Sequence, residues 1–216
     1  MKISYGITVH NEHEELNQLL EILIHKTDVE DEIVICVDGE DEQVQEVITS
    51  WVQQYGHEDM KTIKVYHRKL DGDFASQKNS VIENSTGDYI FHIDADEYPH
   101  EILLRDIKRV LEINDVDLIW VPRVNTVEGI TQAHINTWGW KVTEKGWINF
   151  PDYQSRIFRN RDDIRWERPV HEQITGCKTY AHIPPQEELS LYHPKTIHKQ
   201  ETQNQLYTAI TMDNYL

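Results

Sequence analysis

The sequence predicts an α/β protein built on a mainly parallel, doubly wound sheet, followed by an irregular second half. Three observations predict it. Strand-length apolar runs alternate with stretches of helical period through the first half. No linker, internal repeat or low-complexity tract divides the 216 residues, which suits one domain with a real core. The fourth strand-like run, residues 89–93, leads directly into two acids, Asp94 and Asp96.

Taken in order, residues 2–9 read as a strand. Asn11 then stands as a helix N-cap with Glu14 three residues on, a capping-box spacing. Leu16, Leu19, Leu20 and Leu23 fall on one helical face. Residues 32–37 are a second strand closed by Asp38-Gly39, and Val44, Val47, Ile48, Trp51, Val52 and Tyr55 mark a second helix. Residues 62–66 read as a third strand and 74–85 as a third helix, with Gly87 as its C-terminal stop. Strand 89–93 and a helix from about 101 to about 113 complete a βαβαβαβ order, which implies right-handed crossovers. Residues 118–124 read as another strand. Thr126 to Asp152 is irregular and aromatic, with Trp138, Trp140, Trp147 and Phe150. Short strands are expected at 155–158, 170–174 and 189–193, then a polar helix from about Gln200.

The chain carries 21 basic against 38 acidic residues, a formal charge of −17. That argues against a broad nucleic-acid surface, which needs Lys and Arg to displace counterions. Arg156, Arg159, Arg161, Arg165 and Arg168 cluster locally, either as ion pairs on a solvated face or as a site for a diphosphate or anionic acceptor. Cys36 and Cys177 match no metal spacing. No apolar run is long enough to cross a bilayer, and the N-terminus enters strand-like sequence without a signal peptide. The expected compartment is the reducing cytosol.

Asp-x-Asp occurs three times. Asp71/Asp73 lies in a polar turn, and Asp115/Asp117 in a helix-to-strand connection. Only Asp94/Asp96 ends a buried strand, the end at which open α/β sheets bind ligands. If the extended geometry continues, both carboxylates point the same way. Such a hard oxygen pair suits Mg²⁺ or Mn²⁺ carrying a diphosphate.

In order, Tyr5-Gly-Ile-Thr-Val-His-Asn-Glu12, Ile35-Cys-Val-Asp-Gly39, Gln77-Lys-Asn79 with Thr86-Gly-Asp88, and Ile93-Asp-Ala-Asp-Glu97 resemble the GT-A glycosyltransferases of family 2 over about the first 125 residues. Phe158-Arg159, then Trp166-Glu-Arg-Pro-Val-His-Glu172, then Leu191-Tyr-His193 look like its lipopolysaccharide-core and prophage-type branch. The resemblance implies one domain over 1–216, with a nucleotide-sugar half (1–125) and an acceptor half (126–216) that ends in the C-terminal helix. It implies nucleotide-sugar contacts from Thr8, His10, Glu12, Asp38, Lys78, Asn79 and Asp94, and metal contacts from Asp96, Asp94 and His171. Glu40-Asp41-Glu42 follows Gly39 where many members carry a further Ser or Asp, so the base and ribose contacts stay open.

The implied reaction is a metal-dependent, inverting transfer from a nucleoside-diphosphate donor, UDP-sugar first, to an acceptor hydroxyl. Mn²⁺ or Mg²⁺ is the cofactor. Lipopolysaccharide core, exopolysaccharide, a peptide and modified DNA are all conceivable acceptors. Inversion calls for one general base, with Glu172 the first candidate and Asp152 the second. In a regular strand over 170–174, His171 and Glu172 would face opposite sides. Two other readings compete. A nucleotidyltransferase uses similar acids, but no Gly-rich basic loop is present near the isolated Gly6. A non-catalytic sugar-nucleotide or glycan-binding module would lack a positioned base.

Overall fold

The computed structural model describes residues 1–56 and 61–213. Ile3, Tyr5, Ile7 and Val9 alternate along β1 (Ile3–Val9) and share one face with Ile33, Ile35 and Val37 of β2 (Glu32–Val37). Tyr89, Phe91 and Ile93 of β4 (Tyr89–Asp94) continue that face. It packs against the Leu16/Leu19/Leu20/Leu23 stripe of α1 (His13–Lys26), Val44 and Ile48 of α2 (Glu42–Tyr55), and Leu103, Leu104, Ile107 and Leu111 of α4 (Glu101–Asn114). Residues of opposite parity, Val34, Cys36 and Ile90, meet Ala75, Val81 and Ile82 of α3 (Phe74–Asn84) on the other side. Helices on both faces are what a doubly wound sheet requires.

The seven-stranded sheet has the order β11-β6-β8-β4-β1-β2-β3. β1 pairs in parallel with β2 and β4, and β2 with β3 (Thr62–His67). β8 (Gln154–Arg159) runs antiparallel between β4 and β6 (Leu118–Val121), and β11 (Tyr180–His182) closes the edge beside β6. The chain lays down β1, β2 and β3 in one direction and returns to place β4 on the far side of β1. The carboxyl ends of β1 and β4 therefore flank a topological switch point, where such sheets open a crevice. Next to it, β12 (Leu191–Thr196) lies between β5 (Tyr98–Pro99) and β7 (Arg123–Glu128). The ribbon β9 (Arg165–Glu167)–β10 (Gln173–Thr175) covers α3, and α6 (Ile197–Asp213) packs on β12 and β7.

Several local expectations are corrected. Asn11 does not cap α1, and no side chain bonds across its N-terminus; the N-cap position is Glu12, whose carboxylate takes the His10 and Asn11 N–H groups at 2.9 and 3.1 Å. Ser85, not Gly87, caps α3. Gly87 is required by close approach, since a Cβ there would stand 2.6 Å from the Ser4 nitrogen. The strand expected over 118–124 is two, because Pro122 cannot donate to a ladder and the chain changes sheets there. The strand expected over 170–174 begins only at Gln173, because Arg168 and His171 adopt left-handed φ of 74° and 53° around Pro169. The run expected at 189–193 starts at Leu191, after a 3-10 turn (Glu187–Leu189), and extends to Thr196. β9 and β11 are too short to carry a periodicity signal.

Glu32 ties the amino-terminal edge together. Its fully buried carboxylate accepts from Lys2 Nζ (2.8 Å), Ser4 Oγ (2.7 Å), and the Thr86 N–H (2.6 Å) and hydroxyl (2.8 Å). Burial pushes the carboxyl up, but Lys2, Ser4 and Thr86 together bring it down to about 2. A carboxyl lowered on folding stabilises above its unfolded pKa, and that contribution is lost as pH falls through the folded value. Glu32→Gln is therefore less stable than wild type at pH 7. The gap in thermal midpoint closes on acidification from about pH 4.5 toward about pH 2. Thermal melts across that range check it.

Candidate active site

The switch point collects side chains from the ends of three adjacent strands. Thr8 Oγ1 on β1 donates to Asp94 Oδ1 on β4 at 3.2 Å. Asp38, one residue past β2, accepts from the Leu70 N–H at 2.9 Å. The His10 ring lies 3.1 Å from the Asp38 carboxylate and is otherwise exposed. Glu12 folds the loop after β1 back on itself through its two backbone contacts.

The acid pair divides into two environments, because β4 ends at Asp94 and Asp96 lies in the turn beyond it. Asp94 is gripped by protein: Arg156 Nη2 at 2.6 Å, His92 Nε2 at 3.3 Å and Lys78 Nζ at 3.6 Å. Burial pushes its carboxyl up, but Arg156 and Lys78 hold it well below the usual range. Arg156 is itself buried and also reaches Glu97 at 2.6 Å, and Arg123 meets the same Glu97 oxygen at 2.6 Å. Two other arginines of the cluster serve the architecture: Arg159 pairs with Asp115, and Arg161 with Asp117 and Asp163.

Asp96 faces β12 instead. Its Oδ2 stands 3.3 Å from His193 Nε2 and 3.3 Å from Lys195 Nζ, and its Oδ1 has no hydrogen-bond partner among the described residues. Burial raises this carboxyl, but His193 and Lys195 bring it well below the ordinary range. The imidazole tautomer follows from the network. Asn125 Nδ2 donates to Asp152 at 2.8 Å, so Asn125 Oδ1 faces His193 Nδ1 at 2.8 Å and the ring donates there. Burial holds His193 below its usual range despite Asp96. Its Nε2 and the Asp96 carboxylate face one another, with Lys195 Nζ beside the same oxygen, and this pair is a candidate to share a further cation. Among the described residues no three His, Cys, Asp or Glu side chains form a closed metal cage. One carboxylate and one imidazole instead suit an ion that shares its coordination with phosphate oxygens and water.

The two candidate bases differ. Asp152 Oδ2 takes Arg123 Nε (3.0 Å), Arg123 Nη2 (2.7 Å) and Asn125, and Gln154 donates to its Oδ1 at 3.0 Å. Burial raises it, but Arg123 with Asn125 and Gln154 holds it below the usual range, which makes it a weak base. Among the described residues Glu172 pairs with Lys78, at 2.5 Å. Because β10 starts after it, strand alternation does not set His171 and Glu172 on opposite sides. His171 contacts the Tyr207 ring, 5.8 Å between centroids, and forms no bond or ion pair with Asp94 or Asp96. The imidazole beside Asp96 is His193. Asn79 uses both amide atoms on the Trp166 backbone, each at 2.8 Å, so it braces β9 against α3.

α6 covers this cluster with a polar face. Lys195 Nζ donates to Gln203 at 2.7 Å, and Gln203 to the Tyr207 hydroxyl at 3.0 Å. Burial and then Asp94 and Glu172 push that hydroxyl up to about 12, so it stays protonated. Sequence reasoning named His193 only within the Leu191-Tyr-His193 resemblance and Arg156 only within the arginine cluster, and did not single out Glu97, Arg123, Lys195 or Tyr207. One signal was present: His193 and Lys195 are two apart on a strand, and so share a side.

A doubly wound sheet with carboxylates and cations at its switch point places a candidate ligand crevice there. The profile of Glycosyl transferase family 2 matches residues 4–182, so the chain belongs to that family. Its mostly parallel central sheet has the GT-A fold. Among solved structures, S. aureus TarS 1–349 superposes with a TM-score of 0.63 at 15% identity, over 98% of this chain and 65% of that one. The same protein in complex with UDP-GlcNAc gives a TM-score of 0.63 at 16% identity, over 90% and 59%. A TPR repeat-containing protein of Synechococcus elongatus is 30% identical over 114 residues, 51% of this chain and 23% of that protein. The chain thus spans less than two thirds of each of these relatives. Among the described residues, no helix is long and apolar enough to cross a membrane.

Proposed function

We propose that the chain transfers a sugar from a UDP-sugar to an acceptor hydroxyl with inversion, assisted by Mn²⁺ or Mg²⁺ at Asp96 and His193. The observation that carries this is the Asp96–His193 pair at the strand-end crevice, with Asp96 Oδ1 unbonded among the described residues. The surrounding charge supports a metal. Among the described residues, the carboxylates of Asp94, Asp96, Glu97, Asp152 and Glu172 ion-pair with Lys78, Arg123, Arg156 and Lys195, so these cations are already engaged when a diphosphate arrives. The likeness to TarS with UDP-GlcNAc supports UDP as the carrier. Thr8, His10, Glu12 and Asp38 line the uridine side, and Lys78 and Asp94 the ribose and sugar side. Residues 1–125 supply most of the donor half and 126–216 the acceptor half, with β12 and α6 reaching back over the donor. Free Cys36 and Cys177 accord with a reducing cytosol.

In the transfer step the acceptor oxygen bonds to the anomeric carbon as the bond from that carbon to the diphosphate oxygen breaks, and the electron pair leaves with the diphosphate. The acceptor proton passes to Glu172. Lys195 and Lys78 offset the charge that grows on the leaving group. A bound divalent ion supplies Lewis-acid neutralisation of the same charge.

UDP-sugar turnover measured with Mn²⁺ and again after EDTA tests the whole reading. Metal-stimulated release of UDP is expected, and a protein that neither binds nor turns over any UDP-sugar would exclude it. Glu172→Gln keeps size but not proton affinity, so transfer slows by about a hundredfold or more at nearly unchanged UDP affinity. Wild-type transfer by this variant, with Asp152→Asn inactive, would move the base to Asp152.

A further inference from the structure

The stretch between β7 and β8 carries aromatic rings that the transfer step does not use. Gly139 ends α5 (Gln132–Trp138) at a left-handed φ of 65°, and the Trp140 N–H returns to Ile135 O at 3.0 Å. That turn sets the Trp138 and Trp140 rings 4.6 Å apart, and His134 stacks on Trp138 at 5.1 Å. A hairpin follows, with Val142 bridged to Ile148 and the Thr143 N–H on Trp147 O at 2.9 Å. Ile148 is buried, while Asn149 at φ 54° breaks the alternation, and Trp147 and Phe150 lie 4.8 Å apart. All four aromatic side chains are partly exposed. The indole N–H groups of Trp138, Trp140 and Trp147 have no hydrogen-bond partner among the described residues.

Two links join this patch to the site. Asn125 takes the Ile148 N–H on its backbone oxygen at 2.9 Å, while its side chain holds Asp152 and His193. Phe150 also stands two residues before Asp152 in the chain. Lys145 lies 4.4 Å over the Trp147 ring and pairs with Glu187 at 2.8 Å, while Lys141 has no ion pair among the described residues.

We propose that Trp138, Trp140, Trp147 and Phe150 form an acceptor subsite for an uncharged saccharide. The inference rests on the glycosyltransferase reading and specifies its acceptor class. A pyranose presents C–H groups on one side and hydroxyls around its rim. The first pack against an indole and the second accept from its N–H, so one ligand uses both properties of the exposed rings. A phosphate-bearing polymer would draw on several unpaired cations, whereas Lys145 is paired with Glu187 and a single lysine, Lys141, stands here without an ion pair among the described residues.

The test is an array of defined bacterial oligosaccharides and polysaccharides. Wild type, the double variant Trp138→Ala/Trp140→Ala and Trp140→Phe are compared on it, with UDP affinity measured by calorimetry on the same preparations. Wild type is expected to be retained on at least one neutral saccharide, and the double variant to bind it about tenfold more weakly or worse. Trp140→Phe, which keeps a ring and loses one donor, falls between them, and UDP affinity stays within about twofold throughout. If the double variant also loses UDP binding, Trp140→Phe decides alone. Retention of wild type on no saccharide overturns the subsite, as does equal retention of a UDP-competent variant. Wild-type dimers that the double variant cannot form would assign the patch to a second copy and overturn it as well. Failure of wild type to bind UDP strikes the glycosyltransferase reading instead.

Discussion

Asp96→Ala lowers metal-stimulated turnover by about a hundredfold or more while leaving the protein folded. The side chain lies on the ligand side of the crevice, and its loss removes the 3.3 Å contacts to His193 and Lys195, both of which keep another partner. His193 keeps Asn125 at 2.8 Å, and Lys195 keeps Gln203 at 2.7 Å. The thermal midpoint should therefore stay within about 3 °C of wild type, and stimulation by Mn²⁺ should vanish rather than shift to higher concentration. The other Asp-x-Asp pairs behave differently. Asp73 caps α3 through the Ser76 N–H at 3.0 Å, and Asp117 accepts from the Lys178 N–H at 2.7 Å and Arg161 at 2.8 Å. Their alanine variants lose stability rather than turnover per folded molecule. Near-normal turnover of Asp96→Ala at saturating Mn²⁺ would remove the ion from this site.

Arg156→Leu is the largest expected loss of stability. Arg156 is 3% exposed and bridges Asp94 and the fully buried Glu97, each at 2.6 Å. Removing Arg156 leaves Asp94 with Lys78 at 3.6 Å and Glu97 with Arg123 at 2.6 Å, so two buried acids lose their shared cation, at a cost of about 3 kcal/mol or more. For a chain of this length that lowers the thermal midpoint by about 10 °C or more. Acidification narrows the gap. In wild type, burial opposes ionisation, but Arg156 keeps Asp94 and Glu97 below their usual values, so their contribution is present above the ordinary carboxylate range and lost as pH falls through the folded values. In the variant, Glu97 keeps Arg123 at 2.6 Å, and protonation relieves the carboxylates that have lost Arg156. The double variant Arg156→Leu/Glu97→Leu should regain part of the loss, because an apolar replacement of the pair avoids the unpaired charge. A midpoint within about 2 °C of wild type for Arg156→Leu would show that the network is not holding the turn after β4.

Much of the first half was legible in the chain. The stripe Leu16, Leu19, Leu20 and Leu23 is fully buried, and 32–37 is a strand over the predicted bounds. Asp94 ends β4 and Asp38 follows β2, as strand-end reading expected. The second half was less legible. β6 and β7 read as one run until Pro122 sends them to different sheets, and β9 and β11 are only three residues each. His171 carried the expectation of a metal ligand because of its motif, yet its backbone turns left-handed and its ring meets Tyr207.

The sequence by itself determined the alternation of strand and helix, the doubly wound class and the strand-end acids. Those follow from backbone geometry repeating every two or 3.6 residues, which a window of about ten residues records. Only the tertiary structure decided which acid stays available. The Asp96–His193 contact spans 97 positions and the Asp94–Arg156 contact 62. Asp94 and Asp96 look equivalent in the chain because a local pattern carries no information about which distant cation arrives. Closure of β8 against β4 brings Arg156 to one, and insertion of β12 between β5 and β7 brings His193 and Lys195 to the other.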